Sequence, residues 1–553
     1  MARYTRKQLT QIEAAFTPEE RILMRAAVGG YEPQFRPNPG PQTDALNCTA
    51  DILGYGGAAG GGKSMLISGA AISCHKRSLI IRQEKTTTKK FVQDIQKMRG
   101  GDRSGYSSQG STWTVDCPDG ELRLVEFAGL ENEGDEEKQQ GIDYDLKAYD
   151  EVTQMRETQV RYTMGWVRTD DPAQQCRVLM CFNPPTTAEG RWVIKFFAPW
   201  LDRSKHPNPA EDGELRWFAT IGDNADYELP VERKGEEFVI VDGHPVYEFD
   251  KNEYEPEEIV KPKSRTFITA KVTDNPYYMR SGYISQLQAL PEPLRSQMLK
   301  GDFAAGIEDA EYQVIPTAWI EAAMDRWYDP EDAGPMDSMG VDAARGGNMG
   351  ATMGTTGKDK MVIARRHGLW FAPLIAIKGM DVNSGSLAAA QVVRYRRDNA
   401  PVHLDVAGIG VSPYDFMVKG NIHVEAINNA AGSVGTDKSG LLGFQNLRAE
   451  TYWRLREALD PENAQQIMLP DDAELLADLS APTYKWTKSG ILLEPKEDLK
   501  KRLKRSPDKG DAVVLANITT PRRKMVIGPL ADVVAAPGQS YDENRFSELG
   551  GNR

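Results

Sequence analysis

Cysteine is scarce in this chain. Five occur in 553 residues: Cys48, Cys74, Cys117, Cys176 and Cys181. Few, scattered and odd in number, they exclude a dense disulfide framework and suit a reducing compartment. Cys176 and Cys181 lie nearest each other, but no second pair or histidine cluster accompanies them, so zinc is not expected there. Long apolar runs are also missing. None approaches the roughly 20 residues that a membrane-spanning helix needs, so no membrane association is expected. The basic start, MARYTRKQLTQIEAAF, has no apolar stretch behind it, and a secretory signal is not expected either. No internal repeat or low-complexity tract is present. Net positive charge is lacking too: 67 Lys and Arg stand against 80 Asp and Glu, for a net charge of -13. That balance argues weakly against a nucleic-acid partner. Phosphate contact depends on local charge, however, and a basic channel can sit in an acidic protein.

What is present reads as a soluble globular protein, with 27% charged and 40% hydrophobic residues. The length exceeds one core and implies two main domains with extras. Thr17-Pro18-Glu19-Glu20 has the form of a helix start, with a Thr cap, a Pro at the first position and a Glu at the third. The Pro-rich stretch YEPQFRPNPGPQ then ends any helix, so residues 1–45 read as a helix and an extended entry segment. Over residues 46–315, apolar strands (ADILGY, RSLIIRQ, LRLVEFAG, LKAYDE, CRVLMCF) alternate with helical stretches, including Lys63–Lys76 and Thr87–Met98. That alternation predicts a mostly parallel α/β sheet. From about 200 to 270 strands dominate (RWFATI, EFVIV, PVYEF, RTFITAKV), and an Asp-Gly hairpin signal sits in VDGHPV. These features read as a β-rich continuation of the first domain or an insertion within it. A second α/β unit spans 316–520 and opens with three antiparallel strands from Ser338. Residues 521–553, rich in Gly, Pro and charge, read as a flexible tail.

Two sets of residues carry chemistry. Gly57, Gly60, Gly61, Gly62, Lys63 and Ser64 stand in GAAGGGKS, which fits G-x-x-x-x-G-K-[ST] between a strand and a helix. The glycines turn backbone N–H groups onto phosphate oxygens, Lys63 brings charge to the β and γ phosphates, and the Ser64 hydroxyl suits Mg²⁺. A matching carboxylate strand is LKAYDE. Asp150 would hold Mg²⁺ there, and Glu151 would act as general base on the attacking water. Lys147 within that strand is unusual and suggests an edge position. Asn183, in LMCFNPP, either senses the γ-phosphate or caps an Asn-Pro turn. Arg82 at the end of LIIRQ is a candidate for an arginine acting on a neighbouring subunit's nucleotide.

The second set is acidic. Asp342 (MGVDAARGG), Asp405 (VHLDVAG) and Asp511 (SPDKGDAVVLAN) fall in the order hairpin strand, strand, final helix. In an RNase H-like fold these positions meet at one sheet edge. Clustered carboxylates there need cations, and oxygen ligands select two Mg²⁺ or Mn²⁺ ions for phosphodiester cleavage. Asp508, one turn earlier, is an accessory ligand candidate. Any one of these aspartates alone would read as a cap or turn residue. The segment KEDLKKRLKRSPDKGD beside Asp511 is the densest positive run and reads as a DNA-backbone contact, with KTTTKK at 85–90 a weaker one.

Taken in order, YGGAAGGGKS, GIDYDLKAYDEVTQ, FNPP, VTDNPYY, LKGDF, GVDAARGG, LDVAGIGV, FQNLRAETYW and SPDKGDAVV resemble the large terminase subunits of tailed bacteriophages, from about Gln42 to Ile518. The resemblance implies an α/β protein with an N-terminal P-loop ATPase of the ASCE type and a C-terminal RNase H-like nuclease with a mixed sheet. It implies ATP with Mg²⁺ as fuel, double-stranded DNA as cargo, and a portal protein and a small terminase subunit as partners. A homo-oligomeric ring, a pentamer by family expectation, would work in the host cytoplasm and transiently at the procapsid portal, and would be absent from the mature virion. By position Gln42 would read adenine. One departure is Asn348, where many relatives carry a further acidic residue. The competing readings are a repair or restriction-type helicase-nuclease, whose extra helicase motifs are not found, and an ATP-gated adaptor with an inactive nuclease.

Overall fold

Buried parallel strands read as continuous apolar runs because both faces are covered, and the strands that carry the first sheet have this character. A computed structural model describes residues 15–220, 228–241, 244–305, 309–343, 360–406, 411–463 and 466–519. In chain order the first strands are β1 (Ile52–Gly57), β2 (Arg77–Arg82), β3 (Tyr106–Ser107), β4 (Thr112–Asp116), β5 (Leu122–Gly129), β6 (Leu146–Asp150), β7 (Arg177–Phe182), β8 (Arg216–Thr220), β9 (Glu228–Val231), β10 (Val239–Val241), β11 (His244–Val246) and β12 (Lys263–Ala270). Ten of them form one sheet in the order β3-β4-β5-β2-β6-β7-β1-β12-β8-β9. Its centre, β5 to β12, is parallel throughout. Antiparallel strands extend it at both ends.

One strand, β7, stands between β1, which leads into the glycine-rich loop, and β6, which ends in Asp150. This is the ASCE-type order. Strand β12, part of the stretch read from sequence as a β-rich continuation or insertion, pairs in parallel with β1 in the middle of the sheet. Strands β10 and β11 form a separate hairpin, and the Asp-Gly pair between them lies outside the described residues. Gln42 sits in a short helix, Pro41–Asn47, where the sequence suggested an extended entry. The capping box at Thr17 and Glu20 starts the helix Pro18–Gly29 as its residues predict.

Lys147 corrects the expectation of an edge position. Strand β6 lies between β2 and β7, and Lys147 is wholly buried. Its amine donates to the Thr163 carbonyl at 2.7 Å, near the end of the helix Glu157–Met164, and lies 5.3 Å from the centre of the Tyr144 ring. A helix C-terminus gathers partial negative charge, which makes the interior position tolerable. Burial still pushes the amine down to about 8.

The second sheet is mixed. Strands β13 (Ser338–Asp342), β14 (Lys360–His367), β15 (Trp370–Phe371), β16 (Ile375–Lys378), β17 (Val402–Asp405) and β18 (Val424–Ile427) assemble in the order β15-β14-β13-β17-β18, with β16 also on β14. Strand β14 runs antiparallel to β13, while β17 and β18 run parallel to it. That is the RNase H-like order. The helix Asp508–Ala516 packs across β13 at close range. A Cβ on Gly340 would lie 2.1 Å from the Ala512 carbonyl oxygen. A final hairpin, β19 (Tyr484–Thr487) and β20 (Gly490–Leu493), leads towards this helix. No helix among the described residues is long and apolar enough to cross a membrane, and the cysteines are all unpaired thiols. Residues 521–553 and Asn348 lie outside the described residues.

Candidate functional site

Two clusters stand at the C-terminal ends of parallel strands, where open α/β sheets place their ligand sites. At the first, the loop after β1 turns through Gly57, Gly60 and Gly62 with φ of 110°, 86° and 80°, a region that favours glycine. The helix Lys63–Ser73 follows, and Gly62 at its cap offers no side-chain oxygen to the first amides. A helix start of this kind is suited to anions. The loop's carbonyls are held from outside. Gly60 O accepts from Asn275 Nδ2, Gly61 O from the Tyr55 hydroxyl, and Gly62 O from Gln42 Nε2, at 2.8 to 2.9 Å. Gln42 Oε1 accepts from the Asn38 amide at 2.6 Å. At the loop's start, the Ala58 and Ala59 amides donate to the Ala270 and Met298 carbonyls.

Lys63 Nζ donates to Ala58 O at 2.7 Å and to Asn183 Oδ1 at 2.6 Å. Burial pushes this amine down to about 8, although Asp150 and Glu151 nearby oppose the shift. Asp150, buried at the end of β6, receives two bonds from Arg82, through Nε at 3.0 Å and Nη2 at 2.6 Å. The same Nη2 lies 3.3 Å from Glu151. Glu151 has φ of 59°, a left-handed conformation that costs a non-glycine residue energy and gathers at functional sites. Ser64 Oγ accepts from Lys90 at 2.7 Å. The loop, Lys63, Ser64, Asp150, Glu151, Asn183 and Gln42 thus share one site.

Arg82 is engaged with its own chain's carboxylates, and the exposed Lys90 of KTTTKK reaches back to the glycine-rich loop. Sequence offered no signal for Lys90 beyond its charge. Tyr55 and Asn275 were also missed, although Asn275 belongs to the VTDNPYY motif.

The second cluster forms where β13, β17 and the helix Asp508–Ala516 converge. Val341 is in register with Leu404, which sets Asp342 and Asp405 next along on neighbouring strands. Lys496 Nζ lies 3.3 Å from Asp342 Oδ2 and 2.6 Å from Asp511 Oδ2. The Tyr452 hydroxyl donates to Asp511 Oδ1 at 2.6 Å, and Asn429 Nδ2 to Asp405 Oδ2 at 2.9 Å. Asp508 Oδ2 accepts from the Lys360 amide at 3.4 Å.

Burial drives the Asp342 carboxyl well above its usual range. Lys496 opposes that shift, while Asp508, Asp511 and Asp405 add to it. Asp511 moves the other way: burial would raise it, but Lys496, Arg448 and the Tyr452 hydroxyl outweigh that and lower it. Lys496, the first residue of the basic run, was read from sequence as part of a DNA contact and not as a partner of these aspartates. Among the described residues no three His, Cys, Asp or Glu side chains close on one point suited to a metal. The donors are nonetheless all hard oxygens, and two of them already converge on one positive charge. That chemistry fits Mg²⁺ or Mn²⁺.

Several residues of the basic run before Asp511 have partners within the chain. Arg505 is buried against Asp478, Lys509 pairs with Asp472 at 2.5 Å, Lys504 with Glu131 at 2.9 Å, and Arg502 with Glu494 at 2.6 Å. Of the run's basic side chains only Arg505 is buried; Lys501 and Arg502 are exposed, and Lys496, Lys500, Lys504 and Lys509 are partly so.

No protein-family profile matches the chain, and no curated protein does. Similar solved structures are large terminase subunits. The HK97 bacteriophage large terminase is 10% identical and covers 91% of this chain and 99% of its own, with a TM-score of 0.34. The large terminase of a thermophilic bacteriophage in complex with ATP-γ-S is 10% identical, with coverages of 90% and 100% and a TM-score of 0.30. The nuclease domain of the large terminase subunit of bacterial virus Sf6 is 19% identical, with coverages of 38% and 99% and a TM-score of 0.30.

Proposed function

We propose that this chain is an ATP-driven motor that moves viral double-stranded DNA into a procapsid and cuts it with a metal-dependent endonuclease, as a terminase large subunit does. One observation carries the reading: a glycine-rich phosphate loop with its paired acids ends one parallel sheet, and an aspartate cluster ends a second, RNase H-like sheet. On this reading residues 46–315 form the ATPase domain, including the β-rich stretch at about 200–270 whose strands β8, β9 and β12 continue its sheet, and 316–520 the nuclease. Residues 1–45 are the entry segment.

Lys63 would neutralise the β and γ phosphates of ATP, and the loop amides would orient them. Ser64 and Asp150 would hold the Mg²⁺ that arrives with ATP, which supplies charge neutralisation at the phosphates. Glu151, partly exposed beside Asp150, would take the proton of the attacking water. Asn183, bonded to Lys63, would report the γ-phosphate to the segment behind it. Gln42, fixed on Gly62, would read the adenine. In the nuclease, Asp342, Asp405 and Asp511, with Asp508 as accessory, would hold two Mg²⁺ or Mn²⁺ ions. Such ions supply an activated water and stabilise the leaving oxygen. Lys496 would keep Asp342 and Asp511 together until metal and DNA arrive. The partners on this reading are double-stranded DNA, the portal protein, a small terminase subunit and further copies in a ring. The site of action is the host cytoplasm and, briefly, the procapsid portal.

A triplex-displacement assay tests the motor against a helicase. A duplex translocase strips a third strand in an ATP-dependent way and leaves a forked duplex annealed. The expected result is displacement by the wild type and none by Lys63→Ala. Unwinding of the fork would instead identify a helicase-nuclease.

A further inference from the structure

The helix that carries Asp508 and Asp511 begins after Pro507 and has no side-chain cap of its own. Its first amides are met from another element. Asp478, wholly buried in the helix Ala473–Ser480, accepts from the amides of Lys509 and Gly510, both at 3.1 Å. The approach is close: a Cβ on Gly510 would stand 2.8 Å from that of Asp478. A carboxylate this deep needs a counter-charge, and Arg505 provides it in direct contact. Arg505 is buried as well, and it lies 3.6 Å from Glu474 and 3.4 Å from Glu189. Glu189 belongs to the chain that follows β7 in the P-loop unit. Around the same turn, Lys509 contacts Asp472 and Glu474, and Arg156 of the P-loop unit donates to the Lys504 carbonyl at 2.9 Å.

None of these groups belongs to the nucleotide site or to the aspartate cluster. Together they fix where the Asp508–Ala516 helix begins, and so the height at which Asp508 and Asp511 face β13 and β17. We propose that Asp478 and Arg505 are positioning residues for the nuclease. Glu189 makes their setting depend on the P-loop unit being docked against it. The inference rests on the nuclease reading above. It assigns the buried acid–guanidinium pair a role in metal affinity that neither ATP hydrolysis nor the metal ligands themselves require.

The test uses the full chain without nucleotide. Mn²⁺ binding is followed by the loss of the free-ion EPR signal, and the nuclease component is defined as the part that Asp342→Ala and Asp405→Ala both remove. Asp478→Asn and Arg505→Lys are expected to weaken that component about 10- to 100-fold, as loss of a group supporting a ligand does, while ATP hydrolysis stays at the wild-type rate. Plasmid cleavage should recover partly at high Mn²⁺. Glu189→Gln, a change at a partly exposed pair, should shift the same curve by about two- to threefold. Unchanged Mn²⁺ curves in the folded variants overturn the proposal and leave the nuclease intact. Should Asp478→Asn fail to fold, Arg505→Lys and Glu189→Gln decide by the same criterion. Absence of Asp342-dependent Mn²⁺ binding in the wild type overturns the nuclease reading itself, and this inference with it.

Discussion

Arg82 and Lys496 are each a cation placed between two acids, and each sets the state of one site. Arg82 clamps Asp150 and reaches Glu151 within its own chain. Arg82→Ala should therefore lower the rate of ATP hydrolysis by about 10- to 100-fold, the range for losing a group that orients a ligating carboxylate. The KM for ATP should change little. Mixing this variant with Lys63→Ala chains should give no rescue, because the arginine acts in cis; recovery of activity in the mixture would show that it serves a neighbour. Lys496→Ala would leave Asp342 and Asp511 buried without their shared counter-charge. Its melting temperature in EDTA should drop, by a cost approaching the roughly 3–5 kcal/mol of breaking a buried pair from one side. Added Mn²⁺ should return part of that loss. An unchanged melt in EDTA would contradict the account. At this scale the nucleotide loop and the acids were legible, because Gly-Lys-Ser and strand-end aspartates have fixed local contexts. The contacts of Lys90, Lys496 and Arg82 were not, because each depends on a partner 26 to 154 positions away.

Among the elements, the contact between β13 and the Asp508–Ala516 helix matters most to the second site. Gly340 permits it, since a side chain there would meet the backbone at Ala512, Leu515 and Ala516. Gly340→Ala should push the strand that bears Asp342 away from the helix that bears Asp511. DNA cleavage should be lost while ATP hydrolysis remains, and parallel assays on one preparation would check this. Equal loss of both activities would mean general unfolding. Strands β1 and β7 were readable because parallel interior strands are apolar along their length, and β2, β5 and β6 because each has an apolar stretch bounded by turn residues. Strands β3 and β4 were missed: they are short and polar, and only alternate positions of β4 are buried. The place of β12 beside β1 was not readable either, since parallel pairing joins segments more than 200 residues apart.

Across the whole molecule, ion pairs join the two sheet units. Lys195 meets Asp471, Arg191 meets Glu321, Lys504 meets Glu131 and Arg505 meets Glu189. The net charge gave no hint of this, because a sum over the chain does not report where opposite charges meet. Within the basic run at 496–509 the partners of Lys504, Arg505 and Lys509 likewise lie in other elements. The central claim is that one chain holds two separate active sites. The most direct measurement is a paired assay of ATP hydrolysis and Mg²⁺- or Mn²⁺-dependent plasmid cleavage on the wild type, Glu151→Ala and Asp405→Ala. The account predicts that Glu151→Ala stops hydrolysing ATP but still cuts, and that Asp405→Ala hydrolyses ATP but no longer cuts. A wild type that hydrolyses ATP and cuts with neither metal, or an Asp405→Ala variant that cuts as well as the wild type, would contradict it.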